Sequence, residues 1–329
     1  MTDRIFITRR LPGPSISRLK ERFEVEVWEN EIPPTSKDIL ARASSCSGMI
    51  TLLSDKIDAS LIAQLPKLRA ISQYAVGFDN IDISEATQRG IIVTNTPGVL
   101  TESTADLTWA LILATSRRIV EANLYVRNGK WKVAWGPELL LGIDVHDATL
   151  GIVGMGRIGY AVAKRALGFD MRILYNSRTH TETTKQAEEV LGAERHSLES
   201  LLRESDIVSI HVPLIPETIG LISTRELSLM KRDAILINTS RGTIVDQDAL
   251  YSALKEGKLR GAGLDVFQEE PTPTSNPLLK LPNVVALPHI GSASIRTRSR
   301  MAEMCVDNIM LALDGKTPLN IVNPEVLKE

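Results

Sequence analysis

The stretch Leu150-Gly151-Ile152-Val153-Gly154-Met155-Gly156-Arg157-Ile158-Gly159 decides the fold of this chain. A short apolar run ends in G-x-G-x-x-G, and a helical pattern follows to about residue 167. Three spaced glycines alone are a weak signal, because glycines gather in many tight turns. Between a strand and a helix they read as a dinucleotide-binding turn. Gly154 permits the sharp turn, Gly156 lets the backbone approach a pyrophosphate, and Gly159 lets the helix pack closely on the strand. Arg157 and Ile158 share the helix's first turn, whose free N–H groups and partial positive charge favour phosphate.

Working outward, further strands are expected at residues 172–175, 207–211, 235–238, 263–266 and 284–287. With residues 150–153 these make six, the number in a full dinucleotide-binding sheet. Upstream, apolar runs at residues 4–8, 25–27, 48–52, 68–72 and 91–93 alternate with helical stretches at 15–22 and 36–43, the latter with Ser36 as N-cap. Strand–helix alternation of this kind argues for parallel sheets covered on both faces. A length of 329 residues also exceeds one ordinary core. The expectation is therefore α/β, with two Rossmann-like doubly wound parallel-sheet domains and an active site in the interdomain cleft. Long helical patterns at residues 101–120 and 294–313 would cross between the domains. That places a discontinuous, flavodoxin-like substrate-binding domain at 1–99 plus 291–329, and the dinucleotide-binding Rossmann domain at 100–290.

Composition narrows the function classes. Thirty-eight basic against 40 acidic residues give a net charge of −2, with no footprint for nucleic acid or an anionic membrane. Two cysteines, Cys46 and Cys305, exclude a disulfide framework and a Cys-rich metal site. No signal-peptide pattern opens the sequence, and no apolar run nears the roughly 18 residues of a membrane helix. A cytoplasmic protein without a metal is expected.

Cofactor choice is read at the end of the strand after the glycine turn. An NAD-binding domain carries a carboxylate there for the ribose 2′-hydroxyl. Here the residues are Tyr175-Asn176-Ser177-Arg178-Thr179, with no acid. Arg178 can pair with a 2′-phosphate, and Ser177 and Thr179 can donate hydrogen bonds to it. NADP is favoured, with NADPH preferred over NADH.

Among the histidines, His146, His180 and His196 lie in loop or polar surroundings and read as surface residues. His211 and His289 each close an apolar run at a strand's C-terminal end, the edge where open α/β sheets place ligands. His289 stands before the second crossing helix and is preferred, although His211 fits the same pattern. Two further strand ends carry charge: Asn238-Thr239-Ser240-Arg241-Gly242, and Gly263-Leu264-Asp265-Val266-Phe267-Gln268-Glu269-Glu270-Pro271. An arginine, a carboxylate and a histidine suit reduction of a 2-keto acid. The guanidinium would grip the substrate carboxylate and polarise the carbonyl, and the histidine would donate the proton. A neighbouring carboxylate would favour the imidazolium.

With Val76-Gly77-Phe78-Asp79-Asn80-Ile81-Asp82 and Asn95-Thr96-Pro97-Gly98, these motifs resemble the D-isomer-specific 2-hydroxyacid dehydrogenases over nearly the whole chain. The resemblance implies Arg241 as carboxylate binder, Glu270 as partner of the histidine, and His289 as general acid/base. His211 then becomes structural, and Glu269 the exposed neighbour of Glu270. It further implies substrate contacts from Leu52 and from backbone amides near Val76 and Gly77. Cofactor contacts would extend to Thr104, Val212, Pro213, Thr218, Thr239, Ser240, Asp265 and Gly291. A homodimer built around residues 101–148 is implied too. Trp131 and Trp135 would pack in the core or an interface, or one would reach the partner subunit's pocket.

Within that family the sequence is most similar to the glyoxylate/hydroxypyruvate reductases. Ser177 and Arg178 replace the aspartate of NAD-dependent members, and Val76 replaces the lysine of phosphite dehydrogenases. The chain also ends at Glu329, without the C-terminal regulatory domain of many phosphoglycerate dehydrogenases. Two alternatives stay open. One is a dehydrogenase for a bulkier 2-keto acid. The other is a dinucleotide-sensing binding protein resembling corepressors, which would bind peptide without turnover.

Overall fold

The computed structural model describes residues 2–327, which separate into two compact units. Unit 1 lies within Met1–Leu100 and Ser292–Glu329, and unit 2 is Thr101–Gly291. In chain order the first unit opens with β1 (Arg4–Ile7), α1 (Ser15–Lys20), β2 (Glu24–Val27), α2 (Ser36–Ala43), β3 (Gly48–Thr51), α3 (Ala59–Ala63), β4 (Ala70–Gln73), α4 (Ile83–Gln88) and β5 (Ile92–Thr94). Unit 2 begins with α5 (Thr101–Ser116) and α6 (Ile119–Arg127). It continues with β6 (Thr149–Val153), α7 (Arg157–Ala166), β7 (Arg172–Asn176), α8 (Glu182–Leu191), β8 (Glu194–Arg195), α9 (Leu198–Glu204) and β9 (Ile207–Ile210). Then come α10 (Thr224–Leu229), β10 (Ile235–Asn238), α11 (Gln247–Lys255), β11 (Gly261–Leu264) and β12 (Val284–Ala286). The last long helix, α12 (Ile295–Leu313), belongs to unit 1.

Unit 1 is one parallel sheet of order β2-β1-β3-β4-β5. Its central strands β3 and β4 are buried at every residue, as sheet positions covered on both faces must be. Alternate residues feed two apolar clusters: Phe6, Met49 and Ile71 meet α2, α3 and α4, while Ile5, Ile7 and Ile50 meet α1 and α12. The sheet and α12 approach closely at Gly48, where a Cβ would lie 2.9 Å from Ile309 Cδ1. Helix α2 is capped one residue earlier than Ser36. Thr35 accepts from the Asp38 amide, and the Asp38 carboxylate accepts from the Thr35 amide, closing a capping box.

Unit 2 is a parallel sheet of order β12-β11-β10-β9-β6-β7-β8. Strand β6 is flanked by β7 on one side and β9 on the other, so the chain reverses its winding there and leaves a crevice at the strand ends. The sheet has seven strands rather than the six expected. Strand β8 has only two residues, both polar and exposed, and so lacks an apolar run to betray it. The helical pattern over residues 101–120 also proves to be two helices. Arg118 adopts a left-handed φ of +51°, which ends α5 and starts α6 in a new direction. Its guanidinium pairs with Glu121 at 2.8 Å. Helix α6 buries no residue within the chain and exposes Ile119, Val120, Leu124 and Val126.

Ile309→Ala is expected to destabilise unit 1 by about 2–5 kcal/mol, because Ile309 is fully buried against β3 and the cavity would not collapse. A thermal melt showing an unchanged midpoint would remove α12 from the core.

Candidate active site

The turn after β6 is built for backbone contact. Gly154 holds φ +100°, and a Cβ there would sit 2.8 Å from His211 C and Val212 N at the end of β9. A Cβ on Gly159 would lie 2.2 Å from Gly154 O. Gly156 is different: a Cβ there would meet nothing within 4 Å. That open space lies at the N-cap of α7, where no side chain caps the helix. Free amides facing space reserved by a glycine fit a dinucleotide pyrophosphate. Arg157 is exposed and Ile158 half-buried on the same turn.

Beyond β7, Ser177 is half-buried and Arg178 and Thr179 are exposed. Ser177 Oγ donates to Thr179 O at 3.1 Å, and Arg195 donates to Ser177 O at 2.9 Å, so the loop is held from β8. The nearby Glu188 carboxylate is engaged by the Tyr175 hydroxyl and His180. Across the crevice, Thr218 Oγ1 donates to Pro213 O at 2.7 Å and accepts from Ile215 N at 3.0 Å. Ser240 Oγ donates to Val212 O. His211 Nε2 stands 2.8 Å from Ser209 Oγ, and burial pushes its pKa down to about 3. Burial thus disfavours the imidazolium form at this position.

Three strand ends meet on the other side of the sheet's reversal. Asn238, the buried last residue of β10, donates to Arg241 O at 2.9 Å and accepts from Ser240 N at 3.0 Å. These bonds curl Asn238-Thr239-Ser240-Arg241 into a compact turn, and Thr239 Oγ1 lies 3.0 Å from Thr108 Oγ1. The half-buried Arg241 donates to Ser240 O at 2.8 Å. The next residue, Gly242, is pressed on the following loop, since its Cβ would fall 1.9 Å from Phe267 C.

That loop carries Glu270, whose Oε1 accepts from Phe267 N at 2.9 Å while Oε2 lies 2.7 Å from His289 Nδ1. Burial pushes the Glu270 carboxyl up. The hydrogen bond and charge of His289, the Phe267 amide and the Arg241 charge outweigh it and hold Glu270 below its ordinary range. Glu269 is exposed. His289 adopts φ +53°, and its amide donates to Asp265 O at 2.8 Å. The Asp265 carboxylate accepts from Ile290 N and Gly291 N, both at 2.8 Å. Burial raises the Asp265 pKa despite those amides, and the carboxylate is occupied in fixing the His289 loop. A Cβ on Gly291 would meet Thr104 Oγ1 at 3.4 Å, so α5 backs the same loop. With Nδ1 on Glu270, the Nε2 of His289 is the ring nitrogen left to face a reactant.

Unit 2 thus gathers Arg241, Glu270, His289 and the glycine turn on one sheet edge. Leu52, Val76 and Gly77 belong to unit 1, half-buried just past β3 and β4. His146 and His180 are exposed, and His196 is half-buried in a polar setting between Glu194 and Glu204 at 3.5 and 3.4 Å. Trp131 and Trp135 are 54% and 76% exposed, which rules out packing in the core of their own chain. Sequence reading gave no role to Asn238 or Gly242. A polar residue closing a buried strand and a glycine following a charged one were the available signals.

The family profile described as D-isomer specific 2-hydroxyacid dehydrogenase, NAD binding domain, matches residues 109–291, more than half of the chain. The chain belongs to the D-isomer specific 2-hydroxyacid dehydrogenases. A glyoxylate reductase of Korarchaeum cryptofilum is 57% identical over 328 residues, covering 100% of this chain and 98% of the relative. One from Thermococcus litoralis is 52% identical, covering 99% and 98%. A Thermus thermophilus protein of known crystal structure is 51% identical with a TM-score of 0.91, covering 97% and 99%. The NADPH-dependent glyoxylate/hydroxypyruvate reductase of Sinorhizobium meliloti, solved with NADP and malonate, is 34% identical with a TM-score of 0.86, covering 99% and 98%. As a 2-hydroxyacid dehydrogenase, the protein is an NAD(P)-dependent oxidoreductase built from two parallel-sheet α/β domains. No helix of the described residues is long and apolar enough to cross a membrane.

Gly242→Ala should force the Arg241 and Glu270 loops apart and lower kcat/KM at least about tenfold, with dinucleotide affinity changed far less. Steady-state kinetics beside a cofactor fluorescence titration checks this; equal losses in both would mean a general collapse of the sheet edge.

Proposed function

We propose that this 2-hydroxyacid dehydrogenase reduces glyoxylate and hydroxypyruvate, giving glycolate and D-glycerate, with NADPH as the preferred reductant. The observation that carries the reading is the Glu270–His289 pair at 2.7 Å beside the Arg241 turn, on the nucleotide-binding edge of unit 2. The likeness to glyoxylate reductases at 57% and 52% identity supports the choice of glyoxylate.

The nicotinamide, when bound, supplies hydride to the substrate carbonyl carbon. Arg241 holds the substrate carboxylate and draws electron density toward the carbonyl oxygen. His289 releases its Nε2 proton to that oxygen as the carbon becomes tetrahedral. Glu270 accepts from Nδ1, fixes the ring and stabilises the imidazolium that must form before each turnover. Backbone amides near Val76 and Gly77 share the carboxylate, and Leu52 limits the size of the group on the carbonyl carbon. One methylene there is worth only about 1–3 kcal/mol, so several small keto acids should be accepted.

Toward NADP, Gly154, Gly156, Arg157, Ile158 and Gly159 would take the pyrophosphate. Ser177, Arg178 and Thr179 would take the 2′-phosphate, for which no carboxylate competes in that loop. Thr104, Val212, Pro213, Thr218, Thr239, Ser240, Arg241, Asp265, His289 and Gly291 would complete the pocket, the buried or hydrogen-bonded ones among them chiefly by shaping loops. The apolar side chains that α6 exposes, with Trp131 and Trp135, suit a homodimer around residues 101–148. A cytoplasmic site of action fits the cysteine usage.

Initial rates with glyoxylate, hydroxypyruvate, pyruvate and phenylpyruvate, each with NADPH and NADH, test the reading. Fast NADPH oxidation with the first two is expected, and Arg178→Ala should weaken NADPH binding at least about tenfold more than NADH binding. Preference for NADH or for phenylpyruvate would leave the family and overturn the substrate or cofactor choice. Absence of turnover would favour a binding role.

Glu270→Gln should move the basic limb of the kcat/KM profile to lower pH, because an amide does not stabilise the imidazolium as a carboxylate does. In the wild type the Glu270 carboxylate, held below its ordinary range, stays charged above that range. Its support for His289 is lost as pH falls through its lowered pKa. A pH–rate profile of the variant superimposable on wild type would take Glu270 out of this role.

A further inference from the structure

Unit 1 carries a buried amide network that the mechanism above does not use. Gln73, the fully buried last residue of β4, accepts from Thr51 Oγ1 at 2.7 Å at the end of β3. Its Nε2 donates to Asn80 Oδ1 at 2.7 Å and to Gly77 O at 3.4 Å. Asn80 Nδ2 donates in turn to Leu52 O at 3.0 Å and Asp55 O at 2.7 Å. From the next strand end, Asn95 Nδ2 donates to Val76 O at 2.7 Å. The buried Asp55 carboxylate accepts from the Leu52 amide at 2.7 Å and from Thr8 Oγ1. Three strand-end loops are thereby tied by side-chain amides rather than by strand pairing.

The consequence follows from peptide geometry. In a trans peptide the carbonyl and the following N–H point in opposite directions, and the bonds around Gly77 are trans. Asn95 draws the Val76 carbonyl inward, so the Gly77 N–H faces away. Gln73 draws the Gly77 carbonyl inward, so the Phe78 N–H faces away as well. Neither amide donates to a group among the described residues. Two adjacent N–H groups left facing outward form an anion-binding concavity.

We infer that Gln73 and Asn80, together with Asn95, are positioning residues that hold the Gly77 and Phe78 amides open for the substrate carboxylate. Gln73 and Asn95 orient the two peptides, and Asn80 locks Gln73 to the Leu52–Asp55 loop. The inference rests on the proposed 2-keto acid reading and adds the residues that set its carboxylate site. Their effect belongs to ground-state binding, so KM should respond more than kcat.

The experiment uses the full-length protein saturated with NADPH and measures oxalate binding by calorimetry, oxalate being a carboxylate with no reducible carbonyl. Gln73→Met, which removes both donors at similar volume, and Asn95→Ala, at a half-buried site, should each weaken oxalate at least about tenfold. KM for glyoxylate should rise in parallel, with kcat within about threefold of wild type and NADPH affinity unchanged. If Gln73→Met fails to fold, Asn95→Ala decides alone. Folded variants that bind oxalate like wild type would overturn the inference, whatever their melting temperatures, because a merely structural network would move only the latter. Wild type that binds no oxalate would overturn it too. Wild type that binds oxalate through this network yet fails to reduce glyoxylate would leave the inference standing and remove the substrate reading.

Discussion

The contact between Gly242 and the Phe267–Gln268 peptide governs where the charged groups of unit 2 can stand. Two loops from neighbouring parallel strands touch backbone to backbone, with no room for a methyl group between them. Arg241 on one loop and Glu270 on the other therefore come to a common site without either side chain having to reach far. The Asp265 carboxylate performs the same service for the third loop by gathering the amides of Ile290 and Gly291. Parallel strands make this possible, because all their C-terminal ends emerge on one edge. Short loops from such an edge need few contacts to become rigid, and here the contacts are hydrogen bonds between neighbouring loops and a glycine packed against backbone.

Electrostatics within the site follow from that rigidity. Glu270 is partly withdrawn from water, which by itself would favour the neutral acid. His289, the Phe267 amide and the Arg241 charge reverse the balance, so the carboxylate is kept charged beside the imidazole. His211, just past β9 on the same sheet edge, shows the opposite outcome. It faces the Ser209 hydroxyl at 2.8 Å, and burial pushes its pKa down, disfavouring the imidazolium. The same residue type at the same edge meets two environments, a carboxylate in one case and a hydroxyl in the other.

Much of the fold was legible in the sequence because strand–helix alternation and the glycine turn are local signals. The runs that form β1, β3, β6 and β10 are apolar and bounded by turn residues, so their periodicity identified them within a residue or two. Strand β8 escaped because a two-residue exposed edge strand needs no apolar side chain. The break at Arg118 escaped because a left-handed arginine leaves no trace in composition. Thr35 rather than Ser36 caps α2 for a similar reason: both residues are competent, and only the reciprocal bond with Asp38 chooses between them.

The sequence by itself determined the chemistry on offer: a dinucleotide turn, a strand end without a carboxylate at Ser177-Arg178-Thr179, and an arginine, a glutamate and a histidine at successive strand ends. The likeness of its motifs to 2-hydroxyacid dehydrogenases rests on those same residues. Only the tertiary structure decided which histidine has a carboxylate at 2.7 Å, that Asp265 holds the Ile290 and Gly291 amides, and that Gln73, Asn80 and Asn95 tie three strand-end loops together. The physical reason is range. Turns, caps and apolar periods act over a few residues, whereas a hydrogen bond between positions 19 or 25 residues apart exists only once the sheet has placed both strand ends side by side.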